Sequence, residues 1–565
     1  AAMARTTEDE AGIMKIITRN DYMARTALQP FSRRTLLLLA ALAGVLLAAS
    51  FPPIPFGYFA FIAFVPLLYV LEQQRYAAGA FRYAYLAFLI ANFGTIYWIS
   101  GWAGDDPWLK VAGVVVNFVH PLLFTIPSLA LYFIRRRLGP LVMAAGFPFV
   151  WTTWEWLAHL PELSFPWMVL ANTQTYNQLS IQFITATGSF GITFWVACIN
   201  ALLYVLARQL QKKDWTWNSR PALLTLAVFL LLQAAPLLHG VAVREAPVDE
   251  GGTLRVGIIQ PDVDPYDKWG SGETPMMKLR GLLRLYDSLA AFRPDVVLLP
   301  ETAIPFRILQ PSFAEEWNAL RRHIDSVGVP LLSGFPHTVF YTDAATAPRS
   351  ARQISGTDIR YHDFNSALLA QPGDVMPQIY KKSRLTPLSE RIPYLDALPF
   401  LQDALTWGVG ISNWGLGNDT TVLRLRTARG EVGLWPMICY ETLYPSFVAG
   451  FAARGAQAFA VITNDGWFGP TSGPYQLQRY TVLRAIENRR DVARCANNGI
   501  SCFISAYGDV WDETELYTRT AIVSTIRTST ESTFYTRHGD WLPIGTTVAS
   551  GLLLLLSVIV IHYRK

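Results

Sequence analysis

The sequence predicts a membrane protein with a bundle of eight transmembrane helices and one α/β domain outside the bilayer. Composition is the first reason: 52% of the 565 residues are hydrophobic and 16% are charged, whereas soluble domains carry about 25% charged residues. The second is the gathering of apolar residues into eight long stretches. The third is the segment 241–540, where short β-like runs alternate with amphipathic segments of ordinary polarity.

The length of each apolar stretch is close to the ~20 residues that a helix needs to cross ~30 Å of hydrocarbon. The stretches lie at about 35–51, 56–72, 83–103, 111–134, 140–158, 184–207, 221–239 and 542–562. The predicted organisation is therefore a seven-helix membrane domain over 35–240, an extramembrane domain over 241–540, and a final helix with its tail over 541–565.

The placement of Lys and Arg predicts the orientation of the spans, because cytoplasmic loops are enriched in these residues. They cluster before the first span and after the second, fourth, sixth and eighth spans. The three intervening loops hold only Lys110. Both termini are therefore predicted in the cytoplasm, and the 241–540 domain in the periplasm of a bacterial inner membrane.

The segment 1–34 is polar and is predicted to be a disordered N-terminal segment without a role of its own. The first span has a second interpretation. Arg33 and Arg34, a short apolar run and the small residues 48–50 are also typical of a signal peptide. Cleavage there would leave the orientation of the remaining spans unchanged.

The segment 241–540 is predicted to be an α/β sandwich. Several strand-like runs have apolar residues at consecutive positions, which is typical of strands that are buried on both faces. These runs lie at 254–260, 295–301, 329–335, 365–371, 432–440, 458–465 and 500–508. Helix-like stretches such as 276–292, 312–327 and 474–493 lie between them.

Composition excludes several classes of function. The net charge is +5 without a basic block, so nucleic acid is not an expected partner. The four cysteines are too few and too irregularly spaced for a disulfide framework, and no Cys or His spacing indicates zinc. We expect no metal and no organic cofactor, and nothing in the sequence requires more than a monomer.

Three segments place a charged or reactive side chain at the end of a strand-like run. Glu301 ends DVVLLPE, Lys382 follows QIY, and Cys439 ends GLWPMIC. A thiol has a free pKa of about 8.5 and needs a base and an oxyanion donor to act as a nucleophile. The three residues could supply these groups, but Cys439 alone would more often be a buried packing residue.

A resemblance connects the three segments. PETA (300–303), YKKSRLTPLSE (380–390) and ICYE (438–441), in this order, resemble the nitrilase or carbon–nitrogen hydrolase superfamily. The chain over about 35–562 also resembles its membrane-embedded apolipoprotein N-acyltransferase family. The further motifs that carry this resemblance are SFPP (50–53), FPW (165–167), QPDVDPYDKW (260–269), NDGWFG (464–469) and GDWLP (539–543).

The resemblance implies an αββα sandwich with a Glu-Lys-Cys triad. Glu301 would be the general base, Lys382 the cation that stabilises the oxyanion, and Cys439 the nucleophile. Lys381 is adjacent, but the family pattern of Tyr, any residue and Lys selects Lys382 when Tyr380 is fixed. This chain has LTPLSE where LVPFGE is common in the family, so it departs from the family pattern in the loop between Lys382 and the next glutamate.

The resemblance also implies supporting roles for four residues. Glu390 matches a second glutamate after the lysine, and Trp269 matches a tryptophan on a mobile arm that contacts lipid. Tyr440 and Glu441 match the residues that follow the nucleophile. Glu441 could equally be a structural carboxylate, and Trp269 could be a surface aromatic.

The function implied is acyl transfer by a ping-pong mechanism. A fatty acyl chain would leave a phospholipid, form a thioester with the cysteine, and pass to the α-amino group of the S-diacylglyceryl cysteine of an apolipoprotein. The expected partners are thus phospholipid, diacylglyceryl apolipoprotein and membrane lipid. Two alternatives stay open: a membrane-anchored amidase that hydrolyses a small C–N substrate, and a transporter or receptor whose extramembrane domain is inactive.

Overall fold

The computed structural model describes residues 30–101, 107–245, 251–265, 267–270, 272–343, 345–398, 400 and 413–562. Most of the predicted polar segment, residues 1–29, lies outside this set, as do the basic residues Arg564 and Lys565. Within these ranges the chain forms α1 (Arg33–Ala48), α2 (Ala60–Gln73), α3 (Ala77–Ile96), α4 (Pro107–Leu138), α5 (Pro140–Leu157), α6 (Ile184–Thr187), α7 (Phe190–Gln211), α8 (Arg220–Glu245), α9 (Pro275–Ala290), α10 (Ala314–Val327), α11 (Pro445–Ala453), α12 (Ser472–Asn488), α13 (Phe534–His538) and α14 (Trp541–His562).

Each of the eight predicted apolar stretches contains a helix, but the helices differ in length. Among the described residues, five helical segments are long and apolar enough to cross a membrane: Ala77–Ser100, Lys110–Leu138, Phe190–Gln211, Arg220–Glu245 and Trp541–Val560. The 14-residue α2 extends about 21 Å, which is less than the ~30 Å hydrocarbon layer. Its side chains are mostly buried in protein, so it does not need to span the lipid alone.

The sixth predicted stretch, 184–207, is interrupted at Gly188, which the uniform apolar pattern did not indicate. Gly188 has a φ of 65°, in the left-handed region that favours glycine. A Cβ at this position would lie 2.4 Å from the Tyr535 ring. The chain therefore ends α6 here and restarts as α7, and α13 packs its tyrosine against the break.

The extramembrane part contains two β-sheets. Their strands are β1 (Thr253–Gln260), β2 (Val296–Leu298), β3 (Leu331–Tyr341), β4 (Arg352–Gln353), β5 (Arg360–Ala370), β6 (Gln378–Lys381), β7 (Leu423–Thr427), β8 (Gly430–Ile438), β9 (Ala458–Thr463), β10 (Val492–Ala496), β11 (Cys502–Ile504), β12 (Val510–Trp511) and β13 (Thr520–Arg527). The first sheet has the order β13-β1-β2-β3-β5-β4, with β6 also paired to β5. The second has the order β12-β11-β10-β9-β8-β7.

The two faces of the first sheet pack against different partners, as the alternation of a strand requires. Val256 and Ile258 of β1 belong to the core that includes Cys495 of β10 in the second sheet. Val297 and Leu299 belong to a separate core with the apolar faces of α9 and α10. The sheets therefore face each other with helices outside, which confirms the predicted nitrilase-like sandwich.

Candidate active site

The turn at the end of β8 carries Cys439. The strand ends at Ile438, and the short 3-10 turn Cys439–Leu443 follows directly. Cys439 has a φ of 48°, in a region that residues other than glycine occupy rarely. The backbone thus turns sharply at the cysteine, and its side chain lines a cavity. Such strain is common at functional sites, and packing alone gives no reason for it.

Two glutamates and an asparagine surround the ammonium group of Lys382. The Lys382 Nζ atom lies 2.9 Å from a carboxylate oxygen of Glu301 and 2.9 Å from one of Glu390. Asn365 donates through Nδ2 to both carboxylates, at 2.6 Å for Glu301 and 2.9 Å for Glu390. The other oxygen of Glu301 accepts the backbone N–H of Asn464 at 3.1 Å. Glu301, Lys382 and Glu390, all predicted site residues, therefore meet in one buried cluster.

The neighbouring Lys381 lies on the other face of its strand. Its ammonium group lies 3.4 Å from Asp419 and above the ring of Phe364. Lys382, in contrast, is 1% exposed and lines the same cavity as Cys439. Because successive side chains of a strand point to opposite faces, the structure brings only the second of these two lysines to the cluster.

Glu441 joins the ends of two strands beneath the cavity. Its carboxylate accepts hydrogen bonds from the Tyr380 hydroxyl at 2.6 Å, the Ser383 N–H at 2.7 Å and the Ile438 N–H at 2.8 Å. It is fully buried and does not line the cavity. Glu441 thus connects the backbone before Cys439 to the backbone after Lys382, which agrees with the structural alternative for this residue.

Tyr440 links the turn Cys439–Leu443 to the membrane part. Its hydroxyl donates to the carbonyl oxygen of Ser164 at 2.8 Å, and Ser164 begins the SFPWMVL loop between α5 and α6. Tyr440 also lines the cavity. The turn that carries Cys439 is therefore fastened to a loop of the membrane part.

The cavity has a volume of about 740 Å³ and is shared between the two parts of the protein. Trp269, which is 48% exposed, lies in the short turn Asp267–Trp269 at its edge. One wall is aromatic, with Trp98, Trp167 and Phe468 in mutual ring contact. Because Trp98 and Trp167 belong to the membrane part, Glu301, Lys382 and Cys439 lie beside an apolar surface that is continuous with it.

Gln476 of α12 holds this aromatic wall in place. Its side-chain oxygen accepts the indole N–H of Trp98 at 3.0 Å and that of Trp167 at 2.6 Å. Its amide donates to the carbonyl oxygens of Pro52 and Thr95, each at 2.9 Å. One fully buried side chain therefore connects three loops of the membrane part to the α/β domain. The sequence interpretation missed Gln476, since a glutamine within a helix gives no signal.

The charges of the cluster determine the protonation of its members. Burial lowers the pKa of Lys382, but the carboxylates of Glu301 and Glu390 raise it by more, so it lies above its usual value. Burial raises the pKa of Cys439, the charge of Glu301 adds to this, and Lys382 opposes it. Lys382 is therefore a permanent cation at neutral pH, and the thiol keeps its proton until a base removes it.

Two further polar residues of the site were missed by the sequence interpretation. Asn365 lies in a predicted apolar strand, where an isolated asparagine gives no signal. Lys268 is buried next to Trp269, and its Nζ donates to the carbonyl oxygen of Glu301 at 2.9 Å and to Thr302 Oγ1 at 2.8 Å. Burial lowers its pKa to about 7. The resemblance in QPDVDPYDKW could have drawn attention to this lysine.

The loop that departs from the family pattern forms a closed turn around Glu390. The backbone N–H of Thr386 donates to the Glu390 carboxylate at 2.8 Å, and the Glu390 N–H donates to the Thr386 carbonyl at 2.9 Å. Leu388 takes the left-handed conformation, with a φ of 61°, whereas Ser389, at the usual glycine position, is not among the described residues with positive φ. The LTPLSE sequence therefore holds Glu390 against Lys382.

The remaining cysteines lie outside the cavity lining. Cys495 and Cys502 are buried in the second sheet and Cys198 lies in α7. Within the part of the chain that the structure describes, no group of three or more His, Cys, Asp or Glu residues could hold a metal ion.

Comparison with known proteins assigns the chain to a family. Residues 43–202 match the apolipoprotein N-acyltransferase N-terminal domain, and residues 255–534 match carbon–nitrogen hydrolase. A protein from Chlorobaculum tepidum named apolipoprotein N-acyltransferase is 32% identical over 536 residues, which cover 92% of this chain and 96% of that protein. The chain belongs to the apolipoprotein N-acyltransferase family. It is accordingly an acyltransferase with a nitrilase-like domain.

Other apolipoprotein N-acyltransferases match at similar length. The protein from Geobacter metallireducens is 30% identical and covers 89% of this chain and 91% of its own length. That from Brucella melitensis is 28% identical and covers 94% and 96%. A solved amidase from Nesterenkonia sp. covers 52% of this chain and 97% of its own at 18% identity, with a TM-score of 0.35, a likeness too weak to bear on function.

Proposed function

We propose that this enzyme moves a fatty acyl chain from a phospholipid to the α-amino group of the S-diacylglyceryl cysteine of apolipoproteins, through a thioester on Cys439. The observation that carries the proposal is the cavity that Glu301, Lys382 and Cys439 line together with aromatic residues of the membrane part. A site for a small soluble substrate needs no wall built from the membrane part. Two bulky lipids that use one pocket in turn need such an apolar wall, because their acyl chains must be bound away from water.

In the first half-reaction Glu301 removes the proton of Cys439 while the sulfur attacks the ester carbonyl carbon of the phospholipid. A base is required because burial keeps the thiol protonated. The carbon–sulfur bond forms, the ester carbon–oxygen bond breaks, and Glu301 returns the proton to the departing oxygen. A lysophospholipid leaves and the acyl chain stays on the sulfur.

In the second half-reaction the neutral α-amino group of the acceptor attacks the thioester. Glu301 accepts the proton of the amine, the amide bond forms, and the proton passes to the departing sulfur of Cys439. Lys382 serves in both steps as the fixed cation beside the oxyanion, since its two carboxylate neighbours keep it charged. One such donor typically lowers the barrier by about 3–4 kcal/mol.

The supporting residues act on the geometry of this triad. Glu390 and Asn365 hold the ammonium of Lys382 beside Glu301. Glu441 holds the two strand ends, and Tyr440 holds the catalytic turn against the membrane loop. Trp269, half-exposed at the cavity edge, contacts the lipid substrates and keeps water from the thioester.

The same proposal includes the arrangement in the membrane. Residues 35–240 form the membrane domain with seven of eight spans, 241–540 the periplasmic catalytic domain, and 541–565 the last span and tail. Both termini lie in the cytoplasm of a bacterial cell, and the cavity opens to the outer leaflet of the inner membrane. The alternation of Lys and Arg supports this orientation, and the protein acts as a monomer.

The function is tested by measuring whether the acyl chain is transferred to water, as in hydrolysis, or to the amino group of an acceptor. The purified protein is incubated with phospholipid, with or without a synthetic S-diacylglyceryl cysteine peptide. Free fatty acid and N-acyl peptide are then quantified by mass spectrometry. We expect N-acyl peptide with the acceptor and little fatty acid without it. Rapid release of fatty acid in both samples would indicate a hydrolase and contradict the proposal.

A further inference from the structure

Lys268 is a buried lysine to which the two half-reactions give no part. It is 3% exposed, and its Nζ donates to the carbonyl oxygen of Glu301 at 2.9 Å and to Thr302 Oγ1 at 2.8 Å. Both acceptors are uncharged groups, although a lysine is rarely buried unless a carboxylate pairs with it. Lys268 does not line the cavity. Its side chain therefore contacts the residue of the general base and not the space for the substrates.

The backbone that Lys268 holds is tightly constrained. Thr302 has a φ of 49°, in a region that β-branched residues occupy rarely. Gly334 packs so closely that a Cβ there would lie 2.3 Å from Thr302 N and 2.7 Å from Glu301 Cα. A strained conformation persists only where neighbouring groups hold it, and Lys268 donates two hydrogen bonds to this turn. Because the carbonyl it holds and the catalytic carboxylate belong to the same residue, fixing the first constrains the second.

The segment 261–270, which contains Lys268, is also connected to the general base near its start. Asn497 accepts the N–H of Val263 at 3.1 Å and donates to the Val263 carbonyl oxygen at 2.6 Å. It also donates to Asn464 Oδ1 at 3.0 Å. The backbone N–H of Asn464 in turn donates to a carboxylate oxygen of Glu301 at 3.1 Å. The segment is therefore connected to Glu301 at both ends.

We propose that Lys268 is a positioning residue for the general base, and that it makes the placement of Glu301 depend on the segment that carries Trp269. This inference rests on the proposed function and adds a positioning residue to it. Lys268 and Trp269 are adjacent in the short turn Asp267–Trp269, so a movement of one displaces the other. Glu301 is thus fully placed only while Trp269 lies at the cavity edge.

The hydrogen bonds of Lys268 do not depend on its charge. Burial lowers its pKa to about 7, so both protonation states are populated near neutral pH. The ammonium group has three N–H donors and the neutral amine keeps two, which is enough for the two acceptors. Lys268 can therefore hold Glu301 in either state, whereas Lys382 needs its charge to stabilise an oxyanion.

The test separates placement of the base from contact with lipid by means of two acyl donors. With p-nitrophenyl butyrate, whose acyl chain is short, the burst of p-nitrophenolate gives the rate constant of Cys439 acylation, and its amplitude gives the fraction of active enzyme. With phosphatidylglycerol, intact-protein mass gives both quantities. For Lys268→Met we expect an unchanged amplitude and a rate constant that falls about 10-fold to 100-fold with both donors. Trp269→Ala should slow acylation by phosphatidylglycerol alone.

Thr302→Val is a second variant of the same contact. It removes the hydroxyl acceptor and keeps the shape of the side chain, so it should slow acylation by both donors, but by a smaller factor than Lys268→Met. Lys381→Met is the matched control, because Lys381 is also partly buried and lies 3.4 Å from a carboxylate, but it does not line the cavity. It should leave rate constant and amplitude unchanged.

Three outcomes in Lys268→Met would overturn the positioning role: no loss, a loss of burst amplitude alone, or a loss with phosphatidylglycerol alone. If Lys268→Met does not fold, the same outcomes in Thr302→Val decide. Absence of any acyl-enzyme from phospholipid in the unsubstituted protein would instead overturn the proposed function.

Discussion

At the scale of single residues, the site depends on buried groups whose charges are balanced by close partners. The ammonium group of Lys382 and the side-chain amide of Asn365 each contact both Glu301 and Glu390. The triad could be predicted because its members end strands and fit a known family pattern. Asn365 could not be predicted, since its contacts with Glu301 and Glu390 arise only when distant segments are packed together. Lys268 lies within the QPDVDPYDKW motif, but the sequence gives no sign of its contact with Glu301.

Glu441 gives a prediction about pH. Burial raises its pKa to about 7, against the hydrogen bonds that lower it. The unfolded chain ionises this group near its ordinary value of 4.5, so the folded state holds the proton more tightly. The free energy of unfolding should therefore fall as pH rises from about 4.5 to 7, with a contribution on the order of 3 kcal/mol from this group.

Thermal unfolding of the wild type and of Glu441→Gln across this pH range measures that contribution. Gln cannot titrate, so the midpoint of the variant should fall less steeply with pH than that of the wild type. Glu431→Gln, at an exposed position, should keep the wild-type slope. Parallel curves for the wild type and Glu441→Gln would show that Glu441 does not titrate in this range.

At the scale of secondary-structure elements, strand ends and loops position the chemistry. The predicted run 432–440 agrees with β8 (Gly430–Ile438) to within two residues at each end, because the run is continuously apolar. β7 and β13, which lie at sheet edges, were not predicted, because their alternating or polar residues resemble loops in the sequence. The contact of α12 with the membrane loops could not be predicted either. It forms only because the fold brings Gln476 next to Pro52, Trp98 and Trp167, which are distant in sequence.

Gln476→Leu should disturb the aromatic wall. The substitution leaves two indole N–H groups and two carbonyl oxygens without their buried partner, which costs about 1–3 kcal/mol for each group that water cannot reach. The unfolding temperature should fall, and acyl transfer to the peptide should slow about tenfold or more as Trp98 and Trp167 shift. Thermal unfolding and the N-acyl peptide assay measure the two effects.

Gln211→Leu is the control for this substitution, because Gln211 is exposed at the end of α7. It should change neither quantity. If Gln476→Leu also left both the unfolding temperature and the transfer rate unchanged, the contact between α12 and the membrane loops would have no part in the reaction.

At the scale of the whole molecule, the protein combines a membrane bundle with a nitrilase-like sandwich around one shared cavity. Eight apolar segments could be predicted from sequence, but their lengths could not. The 3-10 turn Gly57–Phe59 directly precedes α2, and most side chains of this 14-residue helix are buried in protein. Hydropathy reports apolarity and not whether lipid or protein surrounds a residue.

The orientation of this assembly is open to direct measurement. Single cysteines are introduced by Ala428→Cys, in the exposed turn after β7, or Asn218→Cys, in the exposed loop after α7. The parent chain has alanine in place of Cys198, Cys439, Cys495 and Cys502. Spheroplasts are treated with a membrane-impermeant maleimide. We expect labelling at 428 in intact spheroplasts, and at 218 only after permeabilisation. The reverse pattern would place the catalytic domain in the cytoplasm.

The central claim is that the sulfur of Cys439 carries the acyl chain between two lipids, and the mass of its peptide tests this most directly. The purified protein is incubated with phospholipid, digested and analysed by mass spectrometry. We predict one fatty acyl chain on the Cys439 peptide, lost when the diacylglyceryl peptide is added and absent in Cys439→Ala. An acyl chain on another residue, or an acylated Cys439→Ala protein, would contradict the account.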